Sequence, residues 1–284
     1  MSVGGSRLER DAAVNAADIE FIYPDWPAPV GVRAAFTLRR GGVSRPPFDS
    51  LNLGLSVGDD PAGVTENRRR VRAALGLTGD PVWLAQKHGT SVVALDRLAH
   101  EEAHRAEPAR SAEQPHADAA ISRLPGAVCA IQVADCMPVL LAARDGAAVG
   151  AAHAGWRGLA AGVLEAAIAA LSTEPYRVAA HRLIAWMGPA IGPEHFEVGE
   201  DVRAAFVERD AGAAGAFARN PKGRWQCDLY ALARRRLAAA GVQEVYGGGW
   251  STYADASRFF SYRRDGRCGR TAAFIWIARD MNSG

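Results

Sequence analysis

The fold is decided between Ala134-Asp135-Cys136-Met137-Pro138 and His153-Ala154-Gly155-Trp156-Arg157-Gly158. The apolar residues that connect these two stretches are interrupted by Arg144-Asp145-Gly146. Two apolar runs joined by Asp-Gly are typical of a β-hairpin with a two-residue turn. We therefore predict that the two stretches lie side by side at the open end of a hairpin.

The turn also sets the register of this hairpin. With the Asp-Gly pair as the turn, residue 144 pairs with residue 147 and Cys136 lies opposite Gly155. His153 is then a diagonal neighbour of Cys136 on the same face, roughly 7–8 Å away. A thiolate and an imidazole at that spacing can share one metal ion or act on one substrate. A register slip is the alternative, because Pro138 cannot donate to the ladder.

Away from the hairpin, strand-like and helix-like segments alternate irregularly. This irregularity favours an α+β fold with mixed β-sheets flanked by helices over a doubly wound parallel sheet. We predict strands at 19–23, 32–39, 81–86, 91–95, 117–121, 127–133, 183–187 and 242–246, helices at 61–77, 156–171, 199–208 and 228–240, and a second hairpin within 258–278. Residues 1–17 are expected to form a flexible tail, 98–115 a polar surface segment, and 18–284 a single domain.

Composition excludes several classes of protein. The chain has 284 residues, of which 49% are hydrophobic, enough for a substantial core. Its net charge of +2 and the lack of charged blocks argue against nucleic acid or a membrane surface as partner. The four cysteines form no CxxC pair, and neither a signal peptide nor a membrane span is evident. We expect a soluble cytoplasmic protein, either a monomer or a weak homodimer.

His88, Cys136 and His153 form the first candidate site. Catalytic zinc takes three protein ligands, commonly histidine or cysteine, and keeps an open position. All three residues are predicted at strand ends beside glycine or proline, where side chains project into clefts. A metal-free reading makes Cys136 a nucleophile, His153 its base, and Asp135 or another acid the group that orients this base. The structural alternative is a buried cysteine with two ordinary histidines.

Other candidates are polar groups near these ligands. Asp118 lies inside an apolar run, where it can be a base, a partner of a ligand histidine or only a strand-end residue. Arg157 lies at a strand-to-helix junction that can bind an anion, or it faces water beside a tight turn. Arginines on turns suit a phosphate or carboxylate, and these are Arg39, Arg40, Arg263, Arg264, Arg267 and Arg270. Because 31 of the 33 basic residues are arginine, a solvated surface is the better explanation for each of them singly.

Several motifs together resemble a family variously called YfiH-like, peptidoglycan editing factor, multicopper polyphenol oxidase (laccase-like) and zinc-dependent purine nucleoside phosphorylase. The resemblance runs from about residue 32 to 277. It rests on Thr37-Leu38-Arg39-Arg40-Gly41-Gly42-Val43-Ser44, Ser50-Leu51-Asn52-Leu53-Gly54, Glu66-Asn67-Arg68, Gln86-Lys87-His88-Gly89, the two stretches quoted first, Gly188-Pro189-Ala190-Ile191-Gly192 and Phe260-Ser261-Tyr262-Arg263-Arg264-Asp265-Gly266.

The resemblance implies an α/β/β/α layered catalytic domain with one zinc held by His88, Cys136 and His153. It also implies that Arg39, Asn52 and Arg264 border the site. The implied reaction converts adenosine, inosine or guanosine and phosphate into base and ribose 1-phosphate, with adenosine deamination as a second activity. Asp118 and Lys87 are the candidates for protonating the leaving base, and Arg157 for contacting phosphate.

Three other functions remain open at this point. The first is hydrolysis of an amide in a nucleotide-linked peptidoglycan precursor, the second a laccase-like oxidation, and the third a non-enzymatic binding protein with structural zinc. The family often has cysteine where this chain has Glu194-His195 and Ser251, and threonine where it has Cys268. A copper oxidase is therefore disfavoured, since a second and a third metal ion would lack ligands.

Overall fold

The computed structural model describes residues 19–103 and 114–279. The predicted tail and residues 104–113 of the predicted surface segment lie outside these ranges, and the single-domain span remains a prediction. The described strands are β1 (Phe21–Ile22), β2 (Val32–Thr37), β3 (Val92–Ala94), β4 (Ala119–Ser122), β5 (Val128–Val133), β6 (Met137–Ala143), β7 (Val149–Ala154), β8 (Leu183–Met187), β9 (Glu197–Val198), β10 (Phe217–Arg219), β11 (Trp225–Cys227), β12 (Glu244–Gly247) and β13 (Thr271–Ile277). The described α-helices are α1 (Pro61–Ala74), α2 (Leu95–Ala103), α3 (Trp156–Ala161), α4 (Val163–Ser172), α5 (Glu200–Val207), α6 (Leu229–Ala239) and α7 (Tyr262–Asp265).

Three sheets organise these elements. A six-stranded mixed sheet has the order β12-β8-β6-β7-β4-β3, and its pairs are antiparallel except β12–β8 and β3–β4. A four-stranded antiparallel sheet has the order β1-β2-β13-β5. A small antiparallel sheet, β10-β11-β9, was not predicted, because its strands have only two or three residues each. The predicted α+β class with mixed sheets is confirmed.

The central hairpin, β6–β7, has the predicted register but a longer turn. Pro138 pairs with His153 and Met137 with Ala154, which places Cys136 level with Gly155 as expected. The predicted two-residue turn is wrong, because the strands end at Ala143 and resume at Val149. The amide of residue 146, a glycine at φ 75°, donates to the carbonyl of Ala143 at 2.8 Å.

Alternate side chains of β6 point into two separate cores, one on each face of the six-stranded sheet. Helices cover one face of this sheet and the four-stranded sheet covers the other. Val139 and Leu141 pack with residues of α4 and α6, whereas Leu140 packs towards the four-stranded sheet. A strand sends successive side chains to opposite faces. Leu140 is fully buried, and such a side chain contributes about 1.5–3 kcal/mol. On the far side, α1 covers the four-stranded sheet through Val71, which completes the expected α/β/β/α order.

Two predicted elements do not form as expected near the site. The predicted strand at 81–86 makes one isolated bridge, from Val82 to Cys129. Further along, the Gln86 side chain takes the place of backbone pairing. Its Nε2 donates to the backbone carbonyl of Gln132 (2.9 Å), and its Oε1 accepts from the backbone amide of Gln132 (2.8 Å). The predicted helix at 156–171 is divided at Gly162, whose φ of 107° cannot continue a right-handed helix.

The predicted second hairpin and surface segment also need correction. Within 258–278 only β13 is a strand, and residues 262–265 form the short helix α7. Arg264 donates to the carbonyls of Thr252, Tyr253 and Phe259, and these bonds hold the segment before α7 in a loop. The segment predicted as polar surface begins instead within α2.

Candidate active site

The three predicted ligands meet at one edge of the six-stranded sheet. Cys136 directly precedes β6, His153 is the penultimate residue of β7, and His88 lies in the loop before β3. The antiparallel pairing of β6 with β7 brings the start of one strand to the end of the other. The ligand atoms of all three side chains lie within 4.8 Å of one another. Their predicted convergence is thus present in the structure.

Asp118 connects two of these ligands through its carboxylate. Oδ1 accepts from His153 Nδ1 (2.9 Å) and from the His88 backbone amide (2.9 Å). Oδ2 accepts from the amides of Lys87 (3.1 Å) and Gly89 (2.7 Å). Because a carboxylate only accepts, Nδ1 of His153 carries a proton, and Nε2 is the ring nitrogen that could bind a metal in place of its own proton.

Hydrogen bonding keeps Asp118 ionised. Burial raises its pKa, but the bonds from His153, Gly89 and Lys87 outweigh burial and lower it to about 2. A carboxyl with that pKa is a poor proton donor near neutral pH. Its geometry corresponds to the expected partner of a ligand histidine rather than to a general acid.

The sulfur of Cys136 is in an environment that favours the thiolate. Its Sγ lies 3.7 Å from His88 Nε2. Burial raises the pKa of Cys136, but the His153 and His88 imidazoles outweigh it and lower that pKa to about 6. Burial lowers the pKa of His153, whereas the Cys136 sulfur and Asp118 raise it to about 9. The thiolate is the form of cysteine that binds metals and attacks electrophiles.

Two residues of the site, His88 and the residue before Cys136, have left-handed backbone conformations. His88 has φ 60° and Asp135 has φ 84°, a region that non-glycine residues seldom occupy. Asp135 is held there by its carboxylate, which accepts from Thr252 Oγ1 (2.7 Å) and the Arg263 amide (2.6 Å). Its carbonyl accepts from the amide of Ile191 (3.0 Å). These contacts turn the chain sharply just before Cys136.

Glycine allows close packing around the ligands. A Cβ on Gly155 would lie 2.7 Å from Cys136 Sγ and 3.0 Å from His88 Cδ2. A Cβ on Gly158 would lie 3.1 Å from the carbonyl of Gly89. Both glycines of the second quoted stretch are therefore required by space rather than by φ.

The ligands open into a cleft of about 650 Å³. Two further predicted residues, Lys87 and Arg157, line it. Arg157 stacks its guanidinium on the Trp156 ring at 4.4 Å, and neither cationic group has a protein hydrogen-bond partner among the described residues. Both charges are therefore available to a ligand in the cleft.

Arg39, Asn52 and Arg264 lie outside the cleft lining, and the structure does not bring them to the ligands. Arg39 donates to the carbonyls of Asp49 and Ala256. The buried Asn52 accepts from the amides of Gly54 and Arg270. Together with the carbonyl contacts of Arg264, these bonds hold the loops behind the cleft wall.

The sequence did not indicate two of the cleft residues, Gln132 and Tyr262. Arg263 and Arg270, which were among the arginines on turns, also line the cleft. The sequence could not separate these two from the general excess of arginine. Gln132 interrupts an otherwise apolar strand, and that polar interruption was the available signal.

No other group of three histidine, cysteine, aspartate or glutamate side chains within 19–103 and 114–279 is arranged to hold a metal ion. At the position where the family often has cysteines, His195 Nδ1 and Ser251 Oγ lie 3.3 Å apart. No helix in the described part of the chain has both the length and the apolarity needed to cross a membrane.

Known proteins of one family match this chain over most of its length. The family model described as multi-copper polyphenol oxidoreductase laccase matches residues 33–278. A Pseudomonas aeruginosa protein named purine nucleoside phosphorylase is 51% identical over 259 residues, covering 90% of this chain and 98% of its own. An Escherichia coli protein named purine nucleoside phosphorylase YfiH is 48% identical over 258 residues, covering 91% and 99%.

Solved structures show the same fold. A crystal structure of a Neisseria meningitidis protein has a TM-score of 0.82 and 44% identity, and the match covers 91% of this chain and 99% of that one. The Bacillus licheniformis protein YfiH has a TM-score of 0.77 and 30% identity, with 87% and 92% covered. This chain therefore belongs to the YfiH-like family that the multi-copper polyphenol oxidoreductase laccase model describes.

Proposed function

We propose that this chain is a purine nucleoside phosphorylase that holds one zinc ion through His88, Cys136 and His153. The observation that carries the proposal is the His–Cys–His group at the end of a cleft lined by free cationic side chains. Relatives that are about half identical over most of the chain have that activity in their names.

The donor set fits zinc. Zinc binds imidazole nitrogen and thiolate sulfur, and catalytic sites use three protein ligands. Asp118 fixes the tautomer of His153, as a carboxylate commonly does for a zinc-bound histidine. Zinc held there would act as a Lewis acid and lower the pKa of a bound water to about 7. A multi-copper oxidation needs several groups of metal ligands. The described residues offer only a single such group, His88, Cys136 and His153.

The side chains of the cleft can bind and orient the substrates. In phosphorolysis, a phosphate oxygen bonds to the anomeric carbon while the carbon–nitrogen bond to the base breaks and the base takes up a proton. Lys87 and Arg157 are positioned to hold the phosphate, where their charge also favours the developing transition state. Of the two predicted proton donors, Lys87 is the better candidate, because Asp118 stays ionised.

We further propose that Arg39, Asn52 and Arg264 act by positioning the loops of the cleft wall. All three metal ligands come from one chain, so a monomer or a weak homodimer can be active. The four cysteines are free, which fits a reducing cytoplasm.

Phosphate dependence is the decisive experiment. Purified protein is incubated with adenosine or inosine, with and without phosphate, and free base and ribose 1-phosphate are measured. We expect release of base only with phosphate, and about one zinc per chain by metal analysis. Base release without phosphate, or full activity without zinc, would contradict the proposal. Ammonia released from adenosine would reveal the second, deaminating activity.

His153→Ala tests the site itself, with His181→Ala as the matched control. His181 lies on an exposed turn away from the cleft. We expect His153→Ala to lose zinc and turnover while its circular dichroism spectrum is unchanged, and His181→Ala to behave like the parent. Full turnover by His153→Ala would show that the chemistry occurs elsewhere.

Amide hydrolysis by the same site is the second candidate. The pKa of about 6 for Cys136, next to His153, suits a cysteine nucleophile as well as a metal ligand. This alternative predicts cleavage of a serine-bearing muropeptide precursor. Such cleavage by protein that turns over no nucleoside would replace the phosphorylase proposal.

A further inference from the structure

Gln132 is a polar side chain on an apolar sheet face. On β5, Val128 and Ala130 point with it towards the core beneath α1, and its cross-strand neighbour is Ala272 of the same core. Gln132 is the one partly exposed residue of this strand. It lies where the face ends and the cleft begins. A polar residue at this position has no role in packing the core.

The backbone of Gln132 is fixed while its side chain is free. Both its amide and its carbonyl are bonded to the Gln86 side chain, at 2.8 and 2.9 Å. The Gln132 carboxamide itself has no hydrogen-bond partner among the described residues, so one acceptor and two donors remain open. The side chain is thus an anchored, unpaired amide in the wall of the cleft.

Arg270 and Tyr262 line the same cleft as Gln132. Together these three side chains form a surface that can hold a flat ligand. A Cβ on Gly54 would lie 3.4 Å from Gln132 Oε1 and 2.8 Å from Arg270 Cγ, so these residues adjoin one another. The Arg270 guanidinium lies 5.9 Å from the Tyr262 ring centroid. Tyr262 is 60% exposed and is one of the few large apolar side chains that face solvent. Gln132 and Tyr262 thus line the same cleft on either side of Arg270. An exposed ring in such a wall can stack on a base while a free amide contacts the edge of that base.

Resting on the proposed function, we propose that Gln132 and Tyr262 form the nucleobase subsite, with Gln132 contacting the group at position 6 of the purine. Adenosine carries an amino donor there, and inosine carries a carbonyl acceptor. A glutamine amide can meet either one by presenting its oxygen or its nitrogen, as it does with base edges elsewhere. The subsite therefore accepts both nucleosides.

Gln132→Glu tests this assignment through selectivity. A carboxylate accepts but does not donate, so it retains the contact with the amino group and repels the carbonyl. We expect the ratio of kcat/KM for adenosine to that for inosine to rise about tenfold or more. A variant that is merely less well folded would lower both values together and leave the ratio unchanged.

Two further variants and a binding measurement complete the test. Gln132→Leu should weaken binding of both nucleosides, and Tyr262→Ala should do so without changing the ratio, because stacking tolerates any base. Gln243→Leu, on an exposed turn, is the matched control and should change neither. Adenosine binding is measured by calorimetry without phosphate.

The outcomes separate the two proposals. A parent protein that phosphorolyses both nucleosides, with an unchanged ratio in Gln132→Glu, would overturn the subsite and leave the phosphorylase intact. A parent that binds adenosine through Gln132 but releases no base with phosphate would overturn the phosphorylase and support the subsite. A parent that neither binds nor cleaves adenosine overturns both.

Discussion

Asp118 shows how one side chain prepares two ligands of a site. Its carboxylate accepts four hydrogen bonds, three from consecutive backbone amides at 87–89 and one from His153. The amide contacts stabilise the left-handed conformation of His88, and the imidazole contact orients His153. A single negative charge therefore sets the positions of both histidines.

Asp118→Asn should weaken metal binding without unfolding the protein. The neutral amide is a poorer acceptor, and its NH2 group would face donors where the carboxylate now accepts. Loss of such a supporting carboxylate lowers metal affinity about 10–100-fold. The measurement is zinc competition with a chromophoric chelator. Asp210→Asn, at an exposed helix cap, is the control, and equal affinity in both variants would contradict this role.

Gly155→Ala should disrupt the site by crowding. Gly155 has φ −66°, so alanine fits its backbone conformation, and the effect would arise from the 2.7 Å approach of the new Cβ to Cys136 Sγ. We expect activity to fall on the order of 100-fold, as small displacements of catalytic groups can cause. Gly215→Ala, where the added Cβ meets nothing within 4 Å, should leave turnover unchanged. Similar kinetics for both variants would exclude crowding as the cause.

At this scale the sequence predicted the reactive side chains and one supporting residue, Asp118, but not the loop contacts that support the rest. His88, Cys136 and His153 could be selected because their side chains have recognisable chemistry and lie near strand ends. Asp135 was proposed only as an acid that orients His153, whereas its carboxylate holds Thr252 and the Arg263 amide; that role depends on a left-handed φ and on partners more than 100 residues away. Arg39 and Arg264 were expected at the site, yet their donors are taken by loop carbonyls.

At the scale of elements, the sequence predicted the register of the β6–β7 hairpin correctly but not the extent of the helix after it. The hairpin has the predicted register although its turn differs, because the connection 144–148 keeps the same pairing as the expected two-residue turn. The helix boundary failed at Gly162, since one glycine can either continue a helix or end it. The predicted hairpin within 258–278 did not form: the Arg264 side chain bonds carbonyls 5 to 12 residues earlier, and the chain around it forms a loop and a short helix instead of a second strand.

Helix α1 carries a pH-dependent ion-pair cluster. Hydrogen bonds from Arg69 and Arg70 outweigh burial and lower the pKa of Glu66 from 4.5 to about 2. A carboxyl with a depressed native pKa stabilises the fold above its unfolded pKa, and this contribution is lost as pH falls from about 4.5 towards 2.

Glu66→Gln should therefore be less stable than the parent at pH 7, and the difference should shrink as the pH falls below about 4.5. Urea unfolding at several pH values measures it. Glu208→Gln, whose carboxylate forms no ion pair among the described residues, should show no such trend. A difference that is constant with pH would contradict a charge-based origin.

At the scale of the whole molecule, bound metal should stabilise the fold. The ligands come from three segments of the six-stranded sheet and its loops, so an ion that binds only the native state adds to stability by mass action. Free zinc at 100 times its Kd contributes about 2.7 kcal/mol, or roughly 5–10 °C in Tm for a domain of this size. Calorimetric scans with and without a chelator measure this shift. Cys136→Ser should be insensitive to the chelator, and an equal response would place the stabilising metal elsewhere.

The three candidate ligands, close in space, are unevenly spaced along the chain, and this spacing implies an order in which they assemble. Cys136 and His153 are 17 residues apart and are joined by one hairpin, whereas His88 is 48 residues from Cys136 and reaches it through its contact with Asp118. Local pairings form sooner than distant ones. A folding chain thus presents a two-ligand half-site first. With the proposed zinc ion bound, detaching residues 86–89 alone would leave it only two protein ligands, so we expect the rate of metal release to report this local opening rather than global unfolding.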